Sequence, residues 1–112
     1  MELLICILKD YRHVEAVLLG FVELGVTGGT VVEGRGLAQV VGSDHPLFAS
    51  LRGLFPGSSH DSQVVFSVMA TAHIAEAIAL IERVTGGLDR PGAGMLFTLP
   101  VFNLRGLALE IA

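Results

Sequence analysis

Apolar runs and helical apolar spacings alternate along the first half of the chain. Residues 3–8 form a short continuous apolar run, which is typical of a buried strand. Apolar residues then recur every three or four positions over residues 11–24, so we predict a helix there that ends at Gly25. The β-branched run at residues 30–33 predicts a second strand. In a longer alternative, this strand continues to Val41.

The second half of the chain repeats this alternation. Residues 64–69 predict a third strand, and the spacing of the isoleucines after it predicts a helix over residues 72–84. Thr71 is placed to cap the start of that helix, and Gly86 and Gly87 supply its end.

The remaining pattern completes a recognisable order of elements. Residues 95–99 predict a fourth strand, and the alternating tail at residues 105–111 indicates a short fifth strand at a sheet edge. No repeat, linker or low-complexity tract divides the chain, so residues 1–112 are interpreted as one domain. The order strand-helix-strand-strand-helix-strand predicts an α+β fold, the ferredoxin-like βαββαβ arrangement with a four-stranded antiparallel sheet.

The first and third predicted strands are apolar at both odd and even positions. Since neighbouring residues of a strand point to opposite faces, both faces of the sheet require burial. Two helices cover one face, so we expect other copies of the chain to cover the second, with three sheets around an axis. The sequence therefore predicts a homotrimer, with Leu4 or Cys6 as candidates for a side chain on the uncovered face.

The chain is apolar for its size, with 52% hydrophobic residues among 112 and a mean hydropathy of +0.68. A domain this small cannot bury so much apolar surface alone, which leaves a partner subunit or lipid as cover. Glu15, Glu23 and Glu33 break the apolar tracts, and no run approaches the ~18–20 uncharged residues of a membrane span. Because the amino terminus shows no basic leader, we expect a cytoplasmic protein without membrane insertion.

Charge and residue types argue against two further classes of function. The net charge is −4, the seven Lys and Arg residues are scattered and there is no Trp, so nucleic-acid binding is not expected. The single cysteine, Cys6, is interpreted as a small buried hydrophobic residue. No nucleophile has an evident base beside it, and His13 and His73 are expected to face water, so we do not expect an enzyme.

The most informative segment is residues 85–94, TGGLDRPGAG, between the second helix and the fourth strand. Four glycines and a proline in ten residues let the backbone approach a ligand, and a helix end followed by open amide groups suits an anion or phosphate. Arg90 is the only cation of this segment, and Asp89 could instead neutralise it in a structural ion pair. The candidate ligand-binding residues are Gly86, Gly87, Arg90, Gly92 and Gly94. The alternative is a connection without a ligand.

Two segments carry a resemblance to a known family. Residues 24–36, LGVTGGTVVEGRG, resemble the helix-to-strand turn of the PII nitrogen-regulatory signalling proteins. The later TGG, GAGMLF and PV segments look like that family's phosphate-binding loop and the strand after it. The resemblance implies a homotrimer that binds ATP or ADP in the clefts between subunits. It also implies a long loop after the second strand that docks on a target enzyme, transporter or regulator.

The resemblance assigns roles to residues outside the glycine-rich segment. Thr30 would meet a nucleotide base, Gly36 would permit close approach, and Arg105 stands in for a basic pair beyond the fourth strand. The ligand would then lie between Thr30 and Gly36 of one subunit and the Arg90 loop of another. Met95 occupies the place of a phosphate-binding lysine, so the sequence favours AMP or ADP over ATP as an effector, and no other cofactor is expected.

The docking loop of this resemblance falls on residues 37–62. Residues 43–46 form a helix-start signal, and large apolar residues follow at near-helical spacing. This stripe either folds back on its own trimer or presents an apolar face to a partner. The segment has no tyrosine, so nucleotidylation, the family's best-known control, has no acceptor here. Two Asp–His pairs suit either a metal site or solvated turns; they are Asp44, His45, His60 and Asp61.

The sequence thus predicts a PII-like sensor that regulates a partner protein through residues 37–62. Two other classes of protein stay open. One is a trimeric assembly module that has kept the fold and lost the ligand. The other is a small enzyme on the same fold, an isomerase or monooxygenase of the dimeric αβ-barrel type, which a dimer in solution would favour.

Overall fold

The computed structural model describes residues 1–26, 28–37 and 62–107. The elements in these ranges are β1 (Glu2–Leu8), α1 (Arg12–Glu23), β2 (Thr30–Gly34), β3 (Ser62–Met69), α2 (Thr71–Thr85) and β4 (Gly94–Pro100). The predicted order of elements is confirmed, and each of these six elements begins and ends within two residues of its predicted bounds.

Two predicted extensions are not seen. β2 ends at Gly34, which pairs with Ser62, the first residue of β3. Residues 38–41 lie outside the described residues. The fifth strand is not formed by residues 105–107, where Gly106 has a φ of 94°, and the rest of that tail lies outside the described residues.

Antiparallel pairing gives the strand order β2-β3-β1-β4. β1 is central, and its register places Ile5 between Phe66 of β3 and Phe97 of β4. The two helices contact each other, and α2 contacts β1. This arrangement confirms the α+β, ferredoxin-like fold class.

The hydrophobic core lies between the helices and one face of the sheet. In β1, Leu4, Cys6 and Leu8 are fully buried and the odd-numbered residues are half-buried, so the side that carries Leu4, Cys6 and Leu8 faces the helices. The core side chains are Leu4, Cys6, Leu8, Val17, Phe21, Val26, Val65, Met69, Ala77, Leu80 and Ile81.

Glycines end both helices as predicted, but the start of α2 differs from the prediction. Gly25 follows α1 with a φ of 90°, and Gly86 closes α2 in the left-handed conformation with a φ of 80°. The cap position of α2 is Ala70, which is extended and offers no side-chain hydrogen bond. Thr71 is already helical and therefore cannot serve as the cap, so that prediction is wrong.

Both described helices are short. α1 has 12 residues and α2 has 15, whereas a transmembrane helix needs about 20. Within the described ranges, neither helix has the length and apolar character to cross a membrane.

Candidate functional site

One face of the sheet is almost entirely apolar, and the helices pack on the other. We call it the open sheet face; it consists of Leu3, Ile5, Ile7, Thr30, Val32, Val64, Phe66, Val68, Met95, Phe97 and Leu99. Its side chains on the two edge strands, β2 and β4, are the most accessible, with 54% of Met95 and 47% each of Leu99 and Val32 exposed. A contiguous exposed apolar surface of this kind is typical of an interface.

The apolar character of both sheet faces is confirmed, but the residues proposed for the uncovered face are wrong. Leu4 and Cys6 are 0% exposed and lie in the core beneath the helices. Residues two apart in a strand share a face, so both point the same way, and the neighbouring Ile5 points to the open sheet face. Burial also raises the pKa of the Cys6 thiol to about 11.

The glycine-rich loop, residues 86–94, connects α2 to β4, whose first residue is Gly94, and contains five of the eight predicted ligand-binding residues. Arg90 folds back over the end of α2 in this loop. Its guanidinium donates hydrogen bonds to the carbonyl oxygens of Thr85 and Gly87, the second from Nε at 3.3 Å. Carbonyl groups at a helix C-terminus carry partial negative charge and attract a cation. Arg90 therefore caps α2, and it forms no ion pair with Asp89 in the described part of the chain.

Backbone amides of this loop have partners within the chain. The Leu88 amide donates to Oε2 of Glu82 at 2.9 Å, and the Gly87 amide donates to the Thr85 hydroxyl at 3.4 Å. We expected open amide groups for an anion here. Instead, a carboxylate of the protein itself already occupies one of them.

Sequence reasoning does not single out Glu82. An acidic residue in the last turn of a helix is unfavourable, because it lies beside the partly negative C-terminal carbonyl groups. This position is the only feature of the sequence that points to Glu82. Its partner, Leu88, lies six residues further along, beyond the reach of helical periodicity. The hydrogen bond between Glu82 and Leu88 forms because of the path of the loop, and that path cannot be predicted from periodicity or composition.

The backbone itself requires two of the loop glycines. Gly86 ends α2 in the left-handed conformation, and Gly94 has a φ of 131° where β4 starts beside β1. A side chain at Gly94 would overlap the carbonyl oxygen of Ile7. Gly87 and Gly92 also have positive φ values, of 110° and 75°. The glycine content of the loop is therefore explained by its conformation, without a ligand.

Thr30 and Gly36 lie away from the glycine-rich loop within one chain. Thr30 pairs with Phe66 and is therefore level with Ile5 in the middle of β1, whereas the loop ends at Gly94, which pairs with Leu8 at the end of β1. Gly36 follows β2, an edge strand three strand spacings, or roughly 14 Å, from β4. One subunit therefore does not bring these two residues to the loop.

Arg105 lies beyond β4, which ends where Pro100 pairs with Glu2 at the start of β1. Its Nη1 donates a hydrogen bond to the carbonyl oxygen of Leu104 at 2.9 Å, in an exposed position. The structure therefore gathers the five glycine-rich-loop candidates in one place and leaves Thr30, Gly36 and Arg105 elsewhere. A site that combines all of them requires residues from a second subunit.

A cavity of about 210 Å³ lies at the Thr30 end of the open sheet face. Its lining includes Leu3, Gly28, Gly29, Thr30, Phe66 and Leu107. The Ser67 hydroxyl donates to the Gly28 carbonyl oxygen at 2.6 Å and fixes the turn that leads into β2. An aromatic side chain beside a hydroxyl can accept a flat polar ring.

Polar side chains cluster where β1 leads into α1. Asp10 accepts hydrogen bonds from Arg12, at 2.8 Å from Nη2 and at 3.0 Å from the backbone amide. These bonds lower the pKa of Asp10 to about 2, and the bond from the Arg12 guanidinium has the larger effect. His13, which we expect from the sequence to face water, is only partly exposed, with 29% of its side chain accessible. It lies one turn before the buried Val17, and its Nδ1 is buried without a hydrogen-bond partner among the described residues.

The predicted metal pairs and most of the docking loop cannot be placed. Asp44, His45, His60 and Asp61 lie outside the described residues, as do all residues from 38 to 61. In the described ranges, no group of three or more His, Cys, Asp or Glu side chains is arranged to hold a metal ion.

Comparison with known proteins adds no family assignment. No protein-family model matches the chain, and no curated protein matches it. The PII resemblance therefore rests on residues 24–36 and on the glycine-rich loop with the strand that follows it.

Proposed function

We propose that this chain is a PII-like regulatory protein, a homotrimer that senses a small anionic ligand and controls a partner protein. The observation that carries the proposal is the open sheet face, which is apolar across all four strands and lies opposite the helices. Such a surface is stabilised when another molecule covers it. Three copies that bury their open sheet faces around one axis would cover it, which is the assembly that the PII resemblance calls for.

The same assembly would complete a ligand site. Thr30 lies on one edge strand, β2, and the glycine-rich loop leads into the other, β4, so neighbouring copies would have to bring them together from two sides. The cavity beside Thr30 suits a nucleotide base, and Arg90 is the cation of the loop. We favour AMP or ADP over ATP because Met95 offers no charge where a lysine would bind phosphate.

Control of a partner is assigned to residues 37–62. The two described ends of this segment, Leu37 and Ser62, lie at the end of the sheet where Gly34 pairs with Ser62. Because the segment is anchored in β2 and β3, which both contribute to the open sheet face, ligand binding between subunits would act directly on its ends. The proposal is of a sensor with a protein partner, not of an enzyme.

Calorimetric titration of the wild type with AMP, ADP and ATP tests the sensing role. We expect AMP and ADP to bind more tightly than ATP. Arg90→Ala should weaken binding by roughly ten- to a hundredfold, the value of a hydrogen bond to a charged group. The matched control is Arg83→Ala, which removes a cation from the last turn of α2 that has no hydrogen bond to the loop among the described residues. Absence of binding to all three nucleotides at millimolar concentration would contradict the proposal.

A second candidate function is an assembly module without a ligand. It is favoured by the internal partners of the glycine-rich loop, since Arg90 bonds the end of α2 and Glu82 accepts from the Leu88 amide. In that case the trimer would form and no nucleotide would bind to it. The same titration, run beside a mass measurement, separates the two functions.

A further inference from the structure

We propose that Glu82 determines the ligand specificity of the glycine-rich loop, an inference that rests on the ligand-sensing function proposed above. Glu82 lies in the last turn of α2, and its Oε2 accepts a hydrogen bond from the Leu88 amide at 2.9 Å. The same oxygen lies 3.8 Å from the position that a Cβ would take at Gly87. The carboxylate is therefore held against the loop backbone, on the side where an anion would bind amide groups.

The carboxylate occupies the place of a bound anion. A loop that binds phosphate presents amide hydrogens to its oxygen atoms. Here one of those hydrogens is already directed at a carboxylate oxygen that belongs to the chain. An external anion must either displace Glu82 from the Leu88 amide or bind beside its carboxylate. In the second case the two negative charges repel each other and weaken binding of the anion.

Arg90, the cation of the glycine-rich loop, compensates for Glu82 only in part. Arg90 is directed at the carbonyl oxygens of Thr85 and Gly87, where it offsets the negative end of α2. Asp89 adds a second carboxylate and Arg83 a second cation, so residues 82–94 carry no net formal charge. A loop with this balance selects against a ligand with several negative charges and favours one with few.

The expected consequence is a graded discrimination among phosphates. Repulsion by Glu82 grows with the number of charges on the ligand, so it weakens ATP more than AMP. Two substitutions separate the effect of the Glu82 charge from the effect of its hydrogen bond to the Leu88 amide. Glu82→Gln removes the charge and keeps an oxygen that can accept from Leu88, whereas Glu82→Ala removes the charge and also frees the amide.

The experiment is calorimetric titration of AMP and ATP into the wild type, Glu82→Gln, Glu82→Ala and Glu76→Gln. Glu76 is an exposed acid of the same helix, six residues before Glu82, and Glu76→Gln controls for the change in net charge. We expect Glu82→Gln to tighten ATP binding more than AMP binding, and Glu82→Ala to tighten both by about tenfold or more. Glu76→Gln should leave both affinities at the wild-type value.

The possible results separate this inference from the proposed function. If the wild type binds AMP and Glu82→Ala binds neither nucleotide more tightly, Glu82 does not set specificity and the sensing role stands. If only the Glu82 variants bind, the inference holds and the wild type is not a sensor of these nucleotides. If no variant binds either nucleotide, or Glu76→Gln tightens binding equally, the inference is wrong. The chemical shift of the Leu88 amide proton provides a second measurement, since it should move on titration with AMP if the ligand replaces Glu82.

Discussion

Gly94 is a residue at which a single methyl group should destabilise the fold. It has a φ of 131°, and a Cβ would overlap the carbonyl oxygen of Ile7 in the neighbouring strand. We expect Gly94→Ala to lower the free energy of unfolding by roughly 1–3 kcal/mol from backbone strain alone, as measured by denaturant unfolding. The control is Gly28→Ala, because a Cβ there has no heavy atom within 4 Å. Equal unfolding midpoints for the two variants would contradict the geometry of the β1–β4 pair.

Asp10 should give the protein a pH dependence at the acidic end. Its pKa in the folded state is about 2, below the ~3.9 of an unfolded aspartate, because Arg12 donates hydrogen bonds to the ionised carboxylate. Its contribution to stability is therefore fully present above about pH 4 and is lost as the pH falls towards 2. An NMR titration of the Asp10 carboxyl carbon should have its midpoint near pH 2 in the wild type. In Arg12→Ala the midpoint should rise; a wild-type midpoint near pH 4 would show that the pair does not form in solution.

The sequence predicts some single-residue roles and misses others for a physical reason. Gly25 and Gly86 were predictable as helix ends because a left-handed residue after a helix is a local requirement. The partners of Arg90 and Glu82 were not, because they are set by the fold of a loop in which residues five or six apart come together. Adjacency in sequence suggests an ion pair between Asp89 and Arg90, but the path of the loop directs the guanidinium to the carbonyl oxygens at the end of α2.

At the scale of elements, the start of α2 can be improved. Ala70 holds the cap position with φ −62° and ψ 142° and has no side-chain group for the first-turn amides. We expect Ala70→Ser to raise the free energy of unfolding by about 0.5–2 kcal/mol, because a serine hydroxyl can accept from those amides. Thermal or denaturant unfolding measures the gain. Thr71→Ala is the control and should change stability by less than the loss of a cap; a larger loss would mean that Thr71 is the cap after all.

Strand and helix positions follow from the sequence more closely than their orientations do. The apolar run at residues 3–8 predicts β1, but it is apolar on both faces, so its pattern cannot say which face the helices cover. Only packing decides this, and it places Leu4 and Cys6 inside and Ile5 on the open sheet face. The error in the sequence prediction therefore arises from the same apolar pattern that indicates assembly.

At the scale of the whole molecule, the open sheet face should be sensitive to charge. Ile5 lies at its centre, between Phe66 and Phe97. We expect Ile5→Asp to convert the assembly to monomers, because an unpaired carboxylate would be buried in the interface. The control is Leu19→Asp, which makes the same kind of change on an exposed residue of α1, 57% accessible, on the helix side of the sheet and not on the open sheet face. A trimer that survives Ile5→Asp would place the interface elsewhere.

The sequence predicts that the chain assembles but does not by itself determine the number of copies. A hydrophobic content of 52% in 112 residues exceeds what a small single domain can bury, and the structure locates much of the excess on the open sheet face. Two copies stacked face to face would also cover such a surface. The choice of three comes from the PII resemblance, whereas the separation of Thr30 from the glycine-rich loop within one chain requires only a second copy.

The mass of the wild-type protein in solution tests the central claim most directly. The chain has a mass of 11.8 kDa, so three copies give 3 × 11.8, or about 35 kDa. Light scattering at micromolar concentration should return this value for the wild type and for Leu19→Asp. A mass of 11.8 kDa would show that the open sheet face is not an interface, and twice that mass would favour the dimeric αβ-barrel alternative over a PII-like trimer.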